Sequence, residues 1–306
     1  MSELGFHELA SPRDAKLDIV FVHGLCENRI STWCSDNGLL WPQKLLSHDI
    51  SDARILTFGY DADVTKFNLD DELADGRIKT QAADLCERLS GFRARTQSAD
   101  RPLIFVAHSL GGLVCAQLAV KGTLGAGSDN ATVIASNTRG MVFLGTPFHG
   151  SAIAPLAGVF GGVYHRSQTQ RVKDLEQKSE KLRRLAEPFA SVLQQRMRNR
   201  SELQVAFFHE TKKVHGAMVV PELDSRITGF GDFAPINADH FTMCKFNHPA
   251  DPGYQSVVSV IKKMVADIDN GTKDTGMSHQ YVNTFLGTIK NQVLGKQIIH
   301  GGMNFA

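Results

Sequence analysis

The residues able to do chemistry begin with Ser109. It lies in Ala107-His-Ser-Leu-Gly111, between an apolar, β-branched run (Leu103–Val106) and a strong helix former (Leu113–Val120). Strand, sharp turn and helix is the setting in which a G-x-S-x-G-like string presents a nucleophile. Strand and helix backbones approach closely at such a turn, so small residues must flank the serine. Ala107 is one methyl group away from the usual first glycine, and Gly111 is retained. Acyl transfer by a serine also needs a base, a carboxylate to orient the base, and two N–H donors for the oxyanion. The first donor is predicted to be the backbone N–H of Leu110. The second is the N–H of Leu25, in the His23-Gly24-Leu25 turn that follows an early strand.

In this kind of site the partners follow in the order serine, acid, histidine. Among 12 histidines, His240 is best placed as the base, in the loop 236–240 before the final helix, with His248 in reserve. Three acids compete. Glu210 directly follows the strand at Val205–Phe208, while Asp224 and Asp239 lie between it and the base or beside the base. Asp239 adjoins His240 in sequence, which makes a side-on bond to that ring awkward and favours loop capping. His108 is expected to be a packed or supporting residue, since neighbours on a tight turn point apart.

These residues need a scaffold. Asp18–Val22, Arg54–Phe58, Leu103–Val106, Gly140–Leu144 and Gln204–Phe208 read as short buried strands, with a weaker one at Met218–Val220. Helices are predicted from Trp41-Pro42 through Leu46, over Asp71–Arg95, after Ser109, and over Asp251–Ile268. Gly122–Asn130 reads as a glycine-rich turn. Strands alternating with helices predict an α/β protein with a mostly parallel, doubly wound sheet. Residues 148–200 interrupt that alternation. They carry one apolar stripe (Leu175, Leu182, Leu185, Phe189, Val192, Leu193), which predicts a helical lid insert or a packing helix. The expected organisation is a catalytic domain over 1–269, a linker over 270–276 and a β-prone tail over 277–306.

Composition excludes several functions. With 33 basic and 32 acidic residues there is no basic face for nucleic acid. No apolar run reaches membrane-spanning length, and the N-terminus lacks the character of a secretory signal. Five scattered cysteines, never spaced C-x-x-C, read as reduced thiols of a cytoplasmic protein. No H-E-x-x-H, close His/Cys cluster or phosphate-binding loop is present, so no metal or other cofactor is predicted. The apolar stripe leaves room for peripheral membrane contact on activation.

Several segments together form a familiar pattern. They are Phe21-Val-His-Gly-Leu25, Trp33, Trp41-Pro42, Arg54–Val64, Ala107–Val114, Val142–Pro147 and Asp239-His240 with Met243–Phe246. This combination resembles the serine-active-site (SERAC1/PGAP1-like) branch of α/β-hydrolases. More narrowly, it is similar to the fungal SesB-like lipases and esterases found beside NOD-like (STAND) receptors. The resemblance spans about 15–268 and implies the α/β-hydrolase fold and hydrolysis of lipid-like or small esters, with Ser109 and His240 at their motif positions. It departs at Phe148-His149, where such proteins commonly place His directly after Gly-Thr-Pro. The same fold also serves thioesterases, acyltransferases and catalytically vestigial signalling adaptors.

The last 30 residues contain no Asp or Glu. Gly287–Leu294 and Gly295–Gly301 look similar to HET-s- and sigma-type fungal amyloid signalling motifs. Apolar residues alternating with amides can stack in register as dry zippers and Asn/Gln ladders. The resemblance implies self-assembly of 277–306, with a NOD-like receptor bearing a matching motif as partner.

Overall fold

The structure is a computed structural model and describes residues 4–25, 27–62, 71–125, 127–149, 185–199 and 201–271. Seven strands form one sheet: β1 (Gly5–Ala10), β2 (Leu17–Val22), β3 (Ala53–Gly59), β4 (Leu103–His108), β5 (Thr138–Leu144), β6 (Gln204–Glu210) and β7 (Asp232–Ile236). Their spatial order is β1-β3-β2-β4-β5-β6-β7. All pairings are parallel except that of β1 with β3.

Side chains alternate across each strand, so the central strands bury both faces. Val20, Val22, Phe105 and Ala107 enter one hydrophobic cluster, whereas Ile19, Phe21, Ile104 and Val106 enter the other. The first face is covered by α2 (Asp71–Arg95), α3 (Leu110–Thr123), α4 (Asp129–Asn137) and α5 (residues 185–198). On the second face lie a π-helix at Pro42–Leu46, continued by α1 (Ser47–Asp49), and the long α6 (Pro252–Gly271). This is the predicted doubly wound α/β-hydrolase arrangement. The strand order reverses between β2 and β4, and in open α/β sheets ligands bind beyond the carboxyl ends of strands at such a switch point.

Several expectations are corrected. The sheet gains an edge strand, β1, from an N-terminal segment that carried no strand prediction. The strand expected at Met218–Val220 is absent. The N–H groups of Val219 and Val220 donate to the Glu210 carboxylate instead of joining a ladder. The seventh strand is Asp232–Ile236, and its Pro235 fits an edge position, where one missing donor is tolerated. Helix α4 starts inside the expected Gly122–Asn130 turn, with the Ser128 hydroxyl accepting from Ala131 N–H as an N-cap. Helix α6 runs to Gly271, three residues past the expected end and into the expected linker.

Of the expected lid insert, residues 150–184 lie outside the described residues, as does the tail 277–306. The described remainder is a packing helix. Leu185, Phe189, Val192 and Leu193 of α5 are buried in the first core cluster. There Phe189 stacks on Phe148 at 5.8 Å and meets Phe143 edge-on at 5.7 Å. Among the described residues no helix is long and apolar enough to cross a membrane.

Candidate active site

Ser109 sits between the end of β4 and the first residue of α3, with φ 52° and ψ −126°. Few L residues occupy that region, and holding one there costs of order 1–3 kcal/mol. The turn is fixed from three sides. Ser109 N–H donates to Leu144 O at 2.9 Å, so β5 anchors the elbow. A Cβ on Gly111 would lie 2.4 Å from His23 O, and one on Gly24 would lie 2.7 Å from the Ser109 Cβ. The His23-Gly24-Leu25 turn therefore presses directly against the serine, and only glycine allows that approach. Leu110 opens α3, where the first N–H groups lack intrahelical acceptors.

A hydrogen-bonded chain leads away from the serine hydroxyl. Ser109 Oγ lies 3.0 Å from His240 Nε2, and His240 Nδ1 lies 2.7 Å from Glu210 Oε2. An ionised carboxylate only accepts, so Nδ1 carries the proton and Nε2 is left to accept from the hydroxyl. The other Glu210 oxygen accepts from Val219 N–H at 2.7 Å and Val220 N–H at 2.9 Å. All three side chains are buried: Ser109 is 1%, His240 0% and Glu210 1% exposed. Glu210, the last residue of β6, thus holds a buried charge compensated by two backbone donors and an imidazole N–H.

The other candidates lie elsewhere. Asp239 Oδ1 accepts from the N–H groups of Phe241 and Thr242 and from the Thr242 hydroxyl, capping the loop that carries His240. Asp224 lies in a short 3-10 turn, and its carbonyl accepts from Phe148 N–H at 2.8 Å. His248 is exposed, and its Nδ1 accepts from Ala250 N–H. His108 is buried, and its Nε2–H donates to the carbonyl of His240 at 2.8 Å. Burial holds the His108 pKa down at about 4, with His240 adding to the effect.

The motif residues around His240 are structural. Trp41 Nε1–H donates to Cys244 O at 2.8 Å, and Trp41 packs on Phe21, Phe246 and Tyr254. This aromatic cluster pins the segment after His240 to the second face of the sheet. Gly145 has φ +58°, and a Cβ there would lie 3.1 Å from the His240 ring. Gly145 and the two amides at Val219-Val220 were not foreseen as parts of the site. A glycine ending a strand gave some signal for the first; a backbone donor gives none in sequence.

His23, beside the elbow, donates from Nδ1 to Gly24 O at 2.8 Å and accepts Tyr60 N–H at Nε2. Its ring stacks on Tyr60 at 4.5 Å, and burial depresses its pKa to about 4. The histidine is therefore neutral and shapes the turn that bears Leu25.

Comparison with known proteins places this geometry in a family. The profile of the Alpha/beta hydrolase family matches residues 19–277, and the chain belongs to that family. Protein SERAC1 of Homo sapiens is 25% identical over 276 residues, covering 83% of this chain and 40% of that protein. Protein SERAC1 of Danio rerio is 30% identical over 255 residues, covering 75% of this chain and 36% of that protein. The chain thus spans about two-fifths of the length of the curated relatives it matches. Among solved structures, the lipase BlEst2 of Bacillus licheniformis in its propeptide form shares the fold. Its TM-score is 0.51 at 20% identity, covering 83% of this chain and 53% of that one.

Proposed function

We propose that this chain is a serine hydrolase of the esterase/lipase type, cleaving carboxylic esters of lipid-like or small substrates. The observation that carries the reading is the buried chain Ser109 Oγ–His240–Glu210, starting from a strained serine on a strand-to-helix turn. In this reading His240 Nε2 takes the Ser109 proton as Oγ attacks the ester carbonyl, and the N–H groups of Leu110 and Leu25 receive the oxyanion. The imidazolium then gives its proton to the leaving alcohol. Water, deprotonated by the same nitrogen, releases the acid from the acyl-enzyme. Glu210 holds the tautomer and stabilises the imidazolium.

The test is covalent. A fluorophosphonate probe should label Ser109, found by peptide mass, and p-nitrophenyl esters of graded chain length should be hydrolysed by the parent but not by Ser109→Ala. Equal turnover by parent and variant would overturn the assignment.

We further propose that residues 277–306 assemble as cross-β and couple the enzyme to a NOD-like receptor carrying a matching segment in a cytoplasmic setting. Its acid-free, amide-rich sequence supports this. A 277–306 peptide should form thioflavin-positive fibrils with a strand spacing of about 4.7–4.8 Å; a peptide that stays dissolved at high concentration sinks it.

A further inference from the structure

Behind His240 lies a second polar cluster that the chemistry above does not use. Glu27, His108 and Cys244 bring one ligand atom each to within 4.8 Å of one another. The three come from the segments that carry the site: Glu27 two residues after Leu25, His108 just before Ser109, and Cys244 four residues after His240.

His108 Nε2 faces the His240 carbonyl, so that nitrogen bears the hydrogen and Nδ1 presents its lone pair. Nδ1 has no hydrogen-bonding partner among the described residues, and neither has Glu27 Oε2, which lies 3.7 Å away. Two acceptors therefore face each other, on a histidine that is 2% and a glutamate side chain that is 12% exposed. Buried acceptors so arranged call for a positive species between them. The Cys244 sulfur, fully buried, completes the triangle, with its S–H turned to Thr32 O at 3.3 Å.

We propose that Glu27, His108 and Cys244 bind a divalent transition-metal ion, of which Zn²⁺ is the best match. Thiolate and imidazole ligands select zinc-like ions over magnesium or calcium. Tetrahedral zinc places N, O and S ligands about 3.3–3.6 Å apart; the histidine–glutamate pair lies at 3.7 Å and all three atoms within 4.8 Å, so closing the triangle takes shifts of about 1 Å. The outer contacts that ligating groups need are in place. The second ring nitrogen of His108 donates to a backbone carbonyl, and Glu27 Oε1 is held by Lys245 Nζ at 2.9 Å. On binding, the Cys244 S–H proton leaves to solvent, and solvent takes the fourth position. The ion touches no reacting atom. It ties the oxyanion-loop, nucleophile and base segments together, and this holds whether or not the chain hydrolyses esters.

The test uses the full chain, freed of metal by a chelator and titrated with Co²⁺. The expected result is one equivalent bound, with tetrahedral visible bands and a thiolate charge-transfer band in the near ultraviolet. Zn²⁺ should displace the cobalt and raise Tm by several degrees. Cys244→Ser should lose the charge-transfer band, and Glu27→Gln should weaken Zn²⁺ at least tenfold while keeping the side-chain size, so it decides the matter if the serine variant does not fold. Ser109→Ala should bind like the parent, which separates this idea from the hydrolase reading. Absence of one-to-one binding below millimolar Co²⁺, or an unchanged thiolate band in Cys244→Ser, would overturn it.

Discussion

Two buried polar clusters sit at opposite strand ends of the one sheet, and they are built in contrasting ways. At the starting ends of β2 and β3, Asp18 accepts from Arg54 Nε and Arg101 at Oδ1, and from Arg54 Nη2 and Arg93 at Oδ2, all within 2.7–2.9 Å. Asp18 is 0% exposed, Arg93 1% and Arg54 3%. Every lone-pair direction of that carboxylate is taken, so nothing there can move a proton. At the finishing ends, Glu210 likewise has both oxygens occupied, yet the chain continues through His240 to a hydroxyl on a strained turn. One carboxylate fixes charges; the other, in the proposed reaction, directs a proton. The difference is that guanidinium groups cannot be deprotonated in proteins, whereas imidazole can change state near neutral pH.

The two ends should therefore respond oppositely to mutation. The largest effect is expected for Ser109→Ala, with kcat falling by about 10⁴-fold or more and the urea midpoint almost unmoved. A variant that unfolded in parallel with its loss of activity would erase the contrast. Glu210→Gln comes next. Its amide would donate toward Nδ1, driving the proton onto Nε2, and kcat should drop by about 10³–10⁴-fold. A pH–rate profile retaining the parent's height would show that the carboxylate does not set the tautomer.

At the opposite end, Asp18→Asn leaves three guanidinium groups around an uncharged amide. Removing one partner of a buried ion pair costs about 3–5 kcal/mol, read as a lowered urea midpoint. Turnover per folded molecule should stay within twofold; a large loss would mean that the ends are coupled.

A smaller effect concerns His23, whose burial depresses its pKa to about 4 from an ordinary value of about 6.5. Between those values the unfolded chain binds a proton that the folded chain refuses, because Nε2 accepts from Tyr60 N–H. Stability is then complete above about pH 6.5 and declines by about 3 kcal/mol as pH falls through about 4. Urea midpoints across that window check it, and His23→Gln should roughly halve the slope, because His108, likewise held down to about 4, contributes over the same window. An equal slope in both proteins would show that His23 does not contribute to the pH dependence.

Much of the architecture was legible because it follows from period and punctuation. Apolar runs of four or five residues mark the central strands, and a helix from about Asp71 to Arg95 was readable. Edges were less legible: β1 and β7 are half-exposed, and Asp232–Ile236 contains a proline. At the site, the structure brings together Ser109, His240 and Glu210, whose side chains and places after strands carry a signal. The choice among Glu210, Asp224 and Asp239 was open in sequence because it depends on which carboxylate meets backbone donors. Val219 and Val220 look like strand residues, and their amides go to Glu210 instead. The Glu27–His108–Cys244 grouping was invisible for a similar reason, since its members are 81 and 136 residues apart along the chain.

The backbone angle at Ser109 carries an evolutionary consequence. Glycine is at ease with φ 52°, so Ser109→Gly should be more stable than Ser109→Ala by about 1 kcal/mol, measurable as a Tm difference of a few degrees. At this position the substitution most rewarded by folding is one that removes the hydroxyl. A lineage released from selection for turnover would drift toward glycine there. In related chains, the residue at the elbow is thus a record of whether chemistry is still being selected.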